Sequence, residues 1–433
     1  MMNIFYPAYI LLVNSLFFPC LLAFLIYYAF GGRHRKRLLE HLGFKSMKRL
    51  RNLSGYPRIW IHAVSLGEMN VGVSIIKALM TKFPKSCLIL SATTKHGYEQ
   101  AEKLFKGKIP IIYAPSDFLF SVRKMLSNIR PHIIIFLETE IWPTWIKEAH
   151  KRNIKIALVN GRISKESFKR YLKIKPLISN VLKDIDAFSM ISNVDALRIQ
   201  KMGAEKDDIA VNGNAKYDLL PTRIDNSIKD LVKHLLNIKQ SQPVFIAGST
   251  REGEEVLILD AYQQISKTFP SLIMLIAPRH IKRTREIESL LRKRGHAYHL
   301  YTWLDGFTNK RRKQVVIVDK FGELFHLYSI GTIIFCGGSL VTKGGQNPLE
   351  AAVWGKVVFY GPYMDNFLDA TALLEEVNAG ICVSHPGMLA DKAIWYLQHP
   401  IILKDHGNRA REAVIKNGES AVKHTRVISD LLN

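Results

Sequence analysis

The stretch Gly337-Gly-Ser-Leu-Val-Thr-Lys-Gly-Gly-Gln-Asn-Pro-Leu-Glu350 is a glycine-rich turn that leads into a helix. The apolar run before it, Thr332-Ile-Ile-Phe-Cys336, predicts a buried strand. Asn347 is suited to cap the helix, Pro348 suits its first turn, and Glu350 lies three residues past the cap. Amides at a helix start attract phosphate, and a carboxylate accepts hydrogen bonds from ribose hydroxyls, so the stretch predicts a nucleotide site. An ordinary capping box is the alternative interpretation.

The alternation of strand and helix patterns continues on both sides of this turn. Five apolar runs in the first half predict strands: Arg58–Ala63, Ser86–Leu90, Ile109–Tyr113, His132–Phe136 and Lys155–Val159. The alternation begins again near Pro243, where five more apolar runs predict strands: Val244–Ala247, Leu272–Ile276, Val315–Val318, Gly331–Phe335 and Val357–Tyr360. Strands that alternate with helices form parallel sheets covered on both faces. The fold class is therefore predicted as α/β, with two doubly wound domains.

An uncharged N-terminal segment precedes the first strand. Residues 1–32 carry no charged side chain, and the apolar run from Ala8 to Phe30 exceeds the roughly 20 residues that span a bilayer core. The basic residues from Arg33 onward place the remainder in the cytoplasm. A cleaved signal peptide is the competing interpretation, but it would need a basic residue before the apolar run.

The length of 433 residues favours two domains after this segment. We predict a membrane anchor over residues 1–32, a first domain over 33–220, a polar interdomain linker over 221–242, and a second domain over 243–433.

The formal net charge of +24 predicts attraction to anionic membranes, nucleic acids or phosphorylated substrates. No helix-turn-helix, zinc-finger or aromatic RNA-binding pattern is visible, which argues against nucleic acid. The four cysteines form no Cys-x-x-Cys pair, so we expect reduced core thiols and no structural zinc.

Acidic residues follow two strands of the first half. Glu68 closes the segment Trp60–Glu68 at a predicted helix start, where the helix dipole favours an ionised general base. A first-turn Glu that only stabilises the helix is the alternative. His62 is a rival base, but it lies within the strand pattern and is expected to be packed.

Glu138 and Glu140 lie in an acidic turn that follows the predicted strand His132–Phe136. Carboxylates after a buried strand need partners, so they are candidates to orient a substrate hydroxyl or to pair with Arg162. A solvated helix start is an equal alternative. Lys216 lies near the predicted linker and is a candidate phosphate contact.

The second half adds two strand ends with polar residues. Ser249 and Thr250 follow one strand, and their hydroxyls and amides suit an anion, although an ordinary helix cap is the alternative. Arg279 ends another strand and is a candidate phosphate or base contact, with a surface role as the alternative.

Eight short segments of the sequence follow one another in an order that is typical of one protein family. They are HAVSLGE, ETEIWP, NGRIS, GNAKYD, AGSTREGEE, APRH, GGQNPLEAA and GPYMDNF. Each motif alone is weak, but the ordered set is specific. On these motifs the chain resembles the 3-deoxy-D-manno-oct-2-ulosonic acid (Kdo) transferases of lipopolysaccharide assembly, and the resemblance covers nearly the whole chain.

The resemblance implies a GT-B glycosyltransferase, with two Rossmann-like domains facing a cleft and no obligatory metal or other cofactor. Such an enzyme would move Kdo from CMP-Kdo to a phosphorylated lipid A precursor, lipid IVA, with inversion. It would be anchored in the bacterial inner membrane beside anionic lipids, with its catalytic domains on the cytoplasmic side. The number of Kdo units transferred is not readable from the residues.

The resemblance also implies roles for individual residues. Glu68 matches the general base, and a glutamate of the ETE motif supports activity, with Glu138 favoured over Glu140. The residues that match nucleotide contacts are Ser249, Arg279, Gly338, Ser339, Asn347 and Glu350. Gln346 departs from the family pattern, in which many members carry His. The alternatives are a membrane-tethered GT-B enzyme that uses a UDP-sugar and a scaffold that binds acidic phospholipid.

Overall fold

The computed structural model describes residues 5–15, 50, 53–64, 66–105, 107–305 and 309–433. Residues 5–15 are helical. Most of the predicted anchor, residues 16–32, lies outside the described residues. Within the described ranges, no helix is both long and apolar enough to span a bilayer.

The chain divides into two compact units. The first unit comprises Met1–Asp218 and Glu419–Asn433, and the second unit comprises Leu219–Gly418. Each is built on a seven-stranded parallel sheet within the described residues.

The first sheet has the strand order β3-β2-β1-β4-β5-β6-β7. Its strands are β1 (Arg58–His62), β2 (Cys87–Ala92), β3 (Ile111–Tyr113), β4 (Ile133–Leu137), β5 (Lys155–Gly161), β6 (Ala187–Met190) and β7 (Ile209–Val211). The helices are α1 (Leu66–Lys82), α2 (Lys95–Phe105), α3 (Leu119–Ile129), α4 (Pro143–His150), α5 (Lys165–Lys173), α6 (Lys175–Leu182) and α7 (Asn193–Met202).

The second sheet has the order β10-β11-β9-β8-β12-β13-β14. Its strands are β8 (Val244–Thr250), β9 (Ile273–Pro278), β10 (Tyr298–Leu300), β11 (Val315–Ile317), β12 (Ile333–Cys336), β13 (Val358–Tyr360) and β14 (Gly380–Cys382). The helices are α8 (Asn226–Leu235), α9 (Glu254–Thr268), α10 (Thr284–Lys293), α11 (Tyr301–Leu304), α12 (Leu324–Leu327), α13 (Leu349–Ala352), α14 (Leu368–Glu376), α15 (Pro386–Gln398) and α16 (Pro400–Asn417).

The central strands β4 and β12 are apolar along their whole length, as expected for strands of a parallel sheet that is covered on both faces. Every residue of β4 is buried, as is every residue of β12. The prediction of two parallel, doubly wound sheets is therefore confirmed. The sequence analysis missed the short strands β6, β7, β10 and β14, and both β7 and β14 are only partly buried. Short strands of this kind do not produce a long apolar run.

The unit boundaries differ from the predicted domains at both ends of the second unit. Helix α8, which was placed in a linker, belongs to the second unit. The last helix, α17 (Ser420–Leu432), belongs to the first unit, although the predicted second domain ran to residue 433. The carboxylate of Asp218 accepts a hydrogen bond from the amide of Ala421 at 2.6 Å. The buried ring of His424 lies 2.6 Å from the Ser189 hydroxyl, which fixes this helix against β6.

Three cysteines lie in the described residues, and all three are free thiols. Cys87 and Cys336 are buried, as expected for core residues, but Cys382 is exposed on the edge strand β14.

Candidate functional site

Each sheet has one point at which the order of its strands reverses. In the first unit this point lies between β1 and β4, and in the second unit between β8 and β12. Ligands of doubly wound sheets bind outside the carboxyl ends of the strands at such a point. We call the residues that follow β1, β4 and β5 the first-unit edge, and those that follow β8, β9 and β12 the second-unit edge.

Glu68 lies in the first turn of α1, six residues after the end of β1. Its Oε2 accepts a hydrogen bond from the Val64 amide at 2.6 Å. The helix-stabilising role proposed as an alternative is therefore present. A carboxylate at a helix N-terminus is also favoured in its ionised form, so the contact is compatible with a general base.

His62 is packed inside the first unit, as predicted. Its side chain is fully buried and lies among the rings of Phe136, Trp142 and Trp145. Nδ1 is 3.0 Å from the Ser91 hydroxyl. Burial lowers the pKa of His62 to about 3, so its ring is neutral at physiological pH.

The two glutamates after β4 have different surroundings. Trp142 Nε1 donates a hydrogen bond to Glu140 at 2.6 Å. Burial raises the pKa of Glu138, and the positive charges of Arg162 and Lys216 oppose that rise. Burial also raises the pKa of Glu140, which Trp142 counteracts and the charge of Glu138 reinforces. The charges of Arg162 and Lys216 thus act on Glu138, whereas Glu140 accepts a hydrogen bond from the indole of Trp142.

Glu138 also has an unusual backbone. Its φ is 59°, and its amide donates to the Val159 carbonyl at 3.0 Å. Asn160, at the end of β5, has φ 54°. Non-glycine residues in this left-handed region cost conformational energy, and such residues cluster at functional sites.

Lys216 follows β7, in a turn that is hydrogen-bonded to the end of β5. It lies in a 3-10 turn, Ala215–Tyr217, and its side chain is exposed. The turn is held at Ala215, whose amide donates to Asn160 Oδ1 at 2.8 Å and whose carbonyl accepts from the Ser74 hydroxyl at 3.1 Å. The sequence analysis did not single out Asn160, although an Asn that follows a buried strand is a recognisable candidate for positive φ.

At the second-unit edge, the glycine-rich turn surrounds a buried carboxylate. Glu254, at the start of α9, is fully buried. Its Oε1 accepts hydrogen bonds from the amides of Ser339 at 2.8 Å and Leu340 at 2.9 Å. Its Oε2 accepts from the amides of Gly338 at 2.6 Å and Arg251 at 2.9 Å.

This arrangement bears on the interpretation of Gly338 and Ser339. Both were expected to be nucleotide contacts, and their amides are already hydrogen-bonded to Glu254. The Ser339 side chain is also buried, and its hydroxyl donates to the Cys336 carbonyl and accepts from the Gly361 amide at 2.8 Å. Both residues therefore shape the turn through internal contacts.

Gly337 permits two backbone segments to approach closely. A Cβ at this position would lie 2.7 Å from the Ser249 carbonyl oxygen and 2.7 Å from Thr250 Cα. The close neighbour of Gly337 is thus the carboxyl-terminal end of β8.

The other end of the turn keeps groups suited to a nucleotide. Asn347 Oδ1 accepts a hydrogen bond from the Leu349 amide at 3.1 Å, but the N-cap position of the short helix α13 is occupied by Pro348. Glu350 is half-buried, and its carboxylate lies 3.9 Å from the guanidinium of Arg223. That guanidinium stacks over the Phe325 ring at 3.9 Å.

Ser249 is the penultimate residue of β8, and Arg279 directly follows the neighbouring strand β9. Ser249 is half-buried with φ 56°, and Arg279 is exposed. The Arg279 amide donates to the Thr250 carbonyl at 3.0 Å, so the two strand ends are joined directly. The Thr250 hydroxyl binds Glu255, which forms a bidentate pair with Arg283, and this network braces the segment after β9.

Arg251 is a candidate that the sequence analysis missed. Its Nη1 lies 2.8 Å from His280 Nε2. Its Nε is buried and has no hydrogen-bond partner among the described residues. A Cβ on Gly338 would lie 3.5 Å from Arg251 Cγ, which places this cation beside the glycine-rich turn. Its position directly after Ser249 and Thr250 was the available signal.

Among the described residues, no cluster of three or more His, Cys, Asp or Glu side chains is arranged to hold a metal ion.

The chain is similar to known transferases in sequence. A family model described as 3-deoxy-D-manno-octulosonic-acid transferase (kdotransferase) matches residues 36–219. A bifunctional glycosyltransferase/methyltransferase of Fusobacterium nucleatum is 37% identical over 313 residues, which is 72% of this chain and 48% of that protein. The chain thus spans about half the length of this relative. The 3-deoxy-D-manno-octulosonic acid transferase of Haemophilus influenzae is 29% identical over 428 residues, which is 96% of each protein.

A solved structure supports the fold assignment. A glycosyltransferase from Rickettsia africae superposes with a TM-score of 0.61 at 16% identity, covering 87% of this chain and 98% of that chain. At this identity the likeness shows the fold alone, which is an α/β fold of the GT-B type.

Proposed function

The chain belongs to the 3-deoxy-D-manno-octulosonic acid (Kdo) transferase family and is a glycosyltransferase, and we propose that it moves Kdo from CMP-Kdo to the lipid A precursor lipid IVA. The proposed reaction inverts the anomeric carbon and releases CMP. It needs no metal in this proposal, and the chain is held at the bacterial inner membrane by residues 1–32. The basic surface would then lie beside anionic lipids on the cytoplasmic side.

The observation that carries the proposal is the placement of Glu68 and Glu138 at the first-unit edge. Strands β1 and β4 are neighbours, with His62 paired to Phe136 at their carboxyl ends. Glu138 follows Phe136 by two residues, and Glu68 lies in the first turn of the helix that follows His62. Two acids beside one strand reversal suit a reaction that begins with removal of a proton.

We assign the general base to Glu68. Its carboxylate would take the proton from the attacking acceptor hydroxyl, and the N-terminus of α1 favours the ionised form that this step requires. Glu138 is assigned to orient the acceptor, supported by the nearby charges of Arg162 and Lys216. Lys216 is also exposed, so it remains a candidate contact for a phosphate group.

We assign the nucleotide to the second-unit edge, with Ser249, Arg279, Asn347 and Glu350 as contacts. Arg251 is added to this set because its partly buried cation lies beside the glycine-rich turn. Charge that develops on the departing phosphate would be stabilised by these arginines. The amides that bind Glu254 take no part in this step, because their hydrogen bonds are already made.

The test is an incubation of the full chain with CMP-Kdo and lipid IVA, followed by mass analysis of the lipid product. The mass identifies the sugar and counts the units added, and parallel reactions with UDP-sugars test the alternative donor class. Glu68→Ala should abolish transfer and leave CMP binding intact. The matched control is Glu166→Ala, which removes an exposed first-turn acid from α5. Near-normal turnover by Glu68→Ala would refute the assigned base.

A further inference from the structure

A polar cavity lies in the second unit, at the end of the sheet opposite to the second-unit edge. Its volume is about 490 Å³. Its walls include Thr332 and Val357, which directly precede β12 and β13, and Gln242, which lies two residues before β8. The cavity therefore opens at the amino-terminal ends of the strands, away from the residues assigned to the nucleotide.

The lining of this cavity is strongly basic. No Asp or Glu lines it, and five lysines do: Lys229, Lys233, Lys239, Lys356 and Lys404. Within the described residues, none of the five ammonium groups forms a salt bridge or a hydrogen bond. The backbone amide of Lys239 donates to Gln242 Oε1 at 3.2 Å. The lysines come from α8, from the loop after it, from the turn before β13 and from α16.

The fold holds these cations close to one another. Lys229 and Lys233 are one turn apart on α8, and like charges at this spacing destabilise a helix. Gly355, with φ 73°, lies beside Lys356 in the turn before β13. A Cβ on Gly407 would lie 2.2 Å from the Gly355 carbonyl oxygen, so α16 packs directly on that turn. The position of Lys356 is thus set by close backbone packing.

Lys356 shows the electrostatic cost of this arrangement. Burial, together with the charges of Lys229 and Lys233, lowers its pKa to about 8. A half-buried ammonium group beside other cations is unfavourable unless an anion compensates it.

We propose that this lysine-lined cavity binds a ligand that carries two or more phosphate groups. Its volume falls in the range of small-molecule sites, roughly 300–1,000 Å³. Several ammonium groups without a competing carboxylate match a polyanion, and the first turn of the 18-residue helix α16 adds the positive end of a helix dipole. Apolar side chains such as Ile238 and Leu403 provide a surface for the remainder of the ligand.

The phosphate groups have two possible sources, a soluble polyphosphate-type molecule or the headgroups of anionic lipids. The first arm of the test is calorimetric titration of the full chain with tripolyphosphate. The second arm is co-sedimentation with vesicles of phosphatidylcholine that contain phosphatidylglycerol. Both arms compare Lys229→Gln/Lys233→Gln with the control Lys267→Gln/Lys293→Gln, which removes two exposed lysines of the same unit outside the cavity.

We expect the cavity variant to weaken tripolyphosphate binding by about tenfold or more, as loss of charge-assisted hydrogen bonds requires, while the control binds normally. Binding near pH 8 should also take up protons, because an anion restores the charged form of Lys356 among Lys229, Lys233, Lys239 and Lys404. If only vesicle binding depends on Lys229 and Lys233, the source is a lipid headgroup. If the two double variants behave alike in both arms, the proposal is refuted.

Discussion

Replacement of Glu254 by Gln tests the interpretation of the glycine-rich turn. The buried carboxylate accepts four backbone hydrogen bonds, two at each oxygen, from Arg251, Gly338, Ser339 and Leu340. Gln preserves the size of the side chain but replaces one oxygen by a donor. Whichever way the amide is turned, two backbone N–H groups lose their acceptor and face an N–H group instead.

The magnitude follows from these two lost acceptors. An unsatisfied buried polar group costs about 1–3 kcal/mol, so the free energy of unfolding should fall by about 4 kcal/mol. For a unit of this size, about 1 kcal/mol shifts the melting temperature by roughly 2–4 °C, so the variant should melt about 10 °C lower.

The assay is urea and thermal unfolding of the full chain, following the transition of the second unit. The matched control is Glu252→Gln, an exposed acid two residues earlier. The control should stay within about 0.5 kcal/mol of the parent chain, as is usual for surface substitutions. If Glu254→Gln also stays within that limit, the four hydrogen bonds do not hold the turn and the reasoning is wrong.

Three further predictions test other contacts. Glu350→Ala should weaken CMP binding by about tenfold, the effect of losing one hydrogen bond to a charged group, and equilibrium titration would contradict this if the affinity were unchanged. Asn160→Ala should lower the free energy of unfolding by about 1–3 kcal/mol and reduce turnover, because the Ala215 amide in the turn that carries Lys216 loses its hydrogen-bond acceptor. The alanine would also be strained at φ 54°. Asn160→Gly removes only the hydrogen bond, so it should be the milder variant in urea unfolding, and equal losses would exclude backbone strain. Burial raises the pKa of Asp218 from 3.8 to about 6, so its contribution to stability is present below 3.8 and is lost as pH rises through about 6. Asp218→Asn should therefore gain stability relative to the parent chain over that interval, and a constant difference across the interval in pH-dependent unfolding would contradict the assignment.

The fold was largely predictable because its main signal is local. Parallel strands covered on both faces are continuous apolar runs, and the runs that became β1, β4, β8 and β12 were all identified in the sequence. The short strand β7 was missed because partly exposed residues form no such run. The unit boundaries were not predictable in the same way, since α17 joins the first unit through Asp218 and His424, contacts that span more than two hundred residues.

The candidate site was predictable in position more than in detail. Residues at strand ends were expected to matter. Glu68 and Glu138 do follow β1 and β4, and Ser249 lies at the end of β8, beside the two reversals. The different partners of Glu138 and Glu140 could not be read from adjacent positions in one acidic turn. Arg162 was an expected partner of this turn, but its charge and that of Lys216 act on Glu138 because of how β4, β5 and the turn after β7 are placed side by side. Trp142 binds Glu140 within the acidic turn itself.

The sequence by itself determined the alternation of strands and helices, the glycine-rich turn and the acidic residues at strand ends, because each of these depends on residues that are neighbours in the chain. Only the tertiary structure decided what the turn binds. Its amides were expected to attract an external phosphate, but Glu254, which lies more than eighty residues earlier in the chain, supplies an internal carboxylate. The physical reason is that a backbone amide donates its hydrogen bond to whichever anion the folded chain brings within reach, and strand order decides which anion that is.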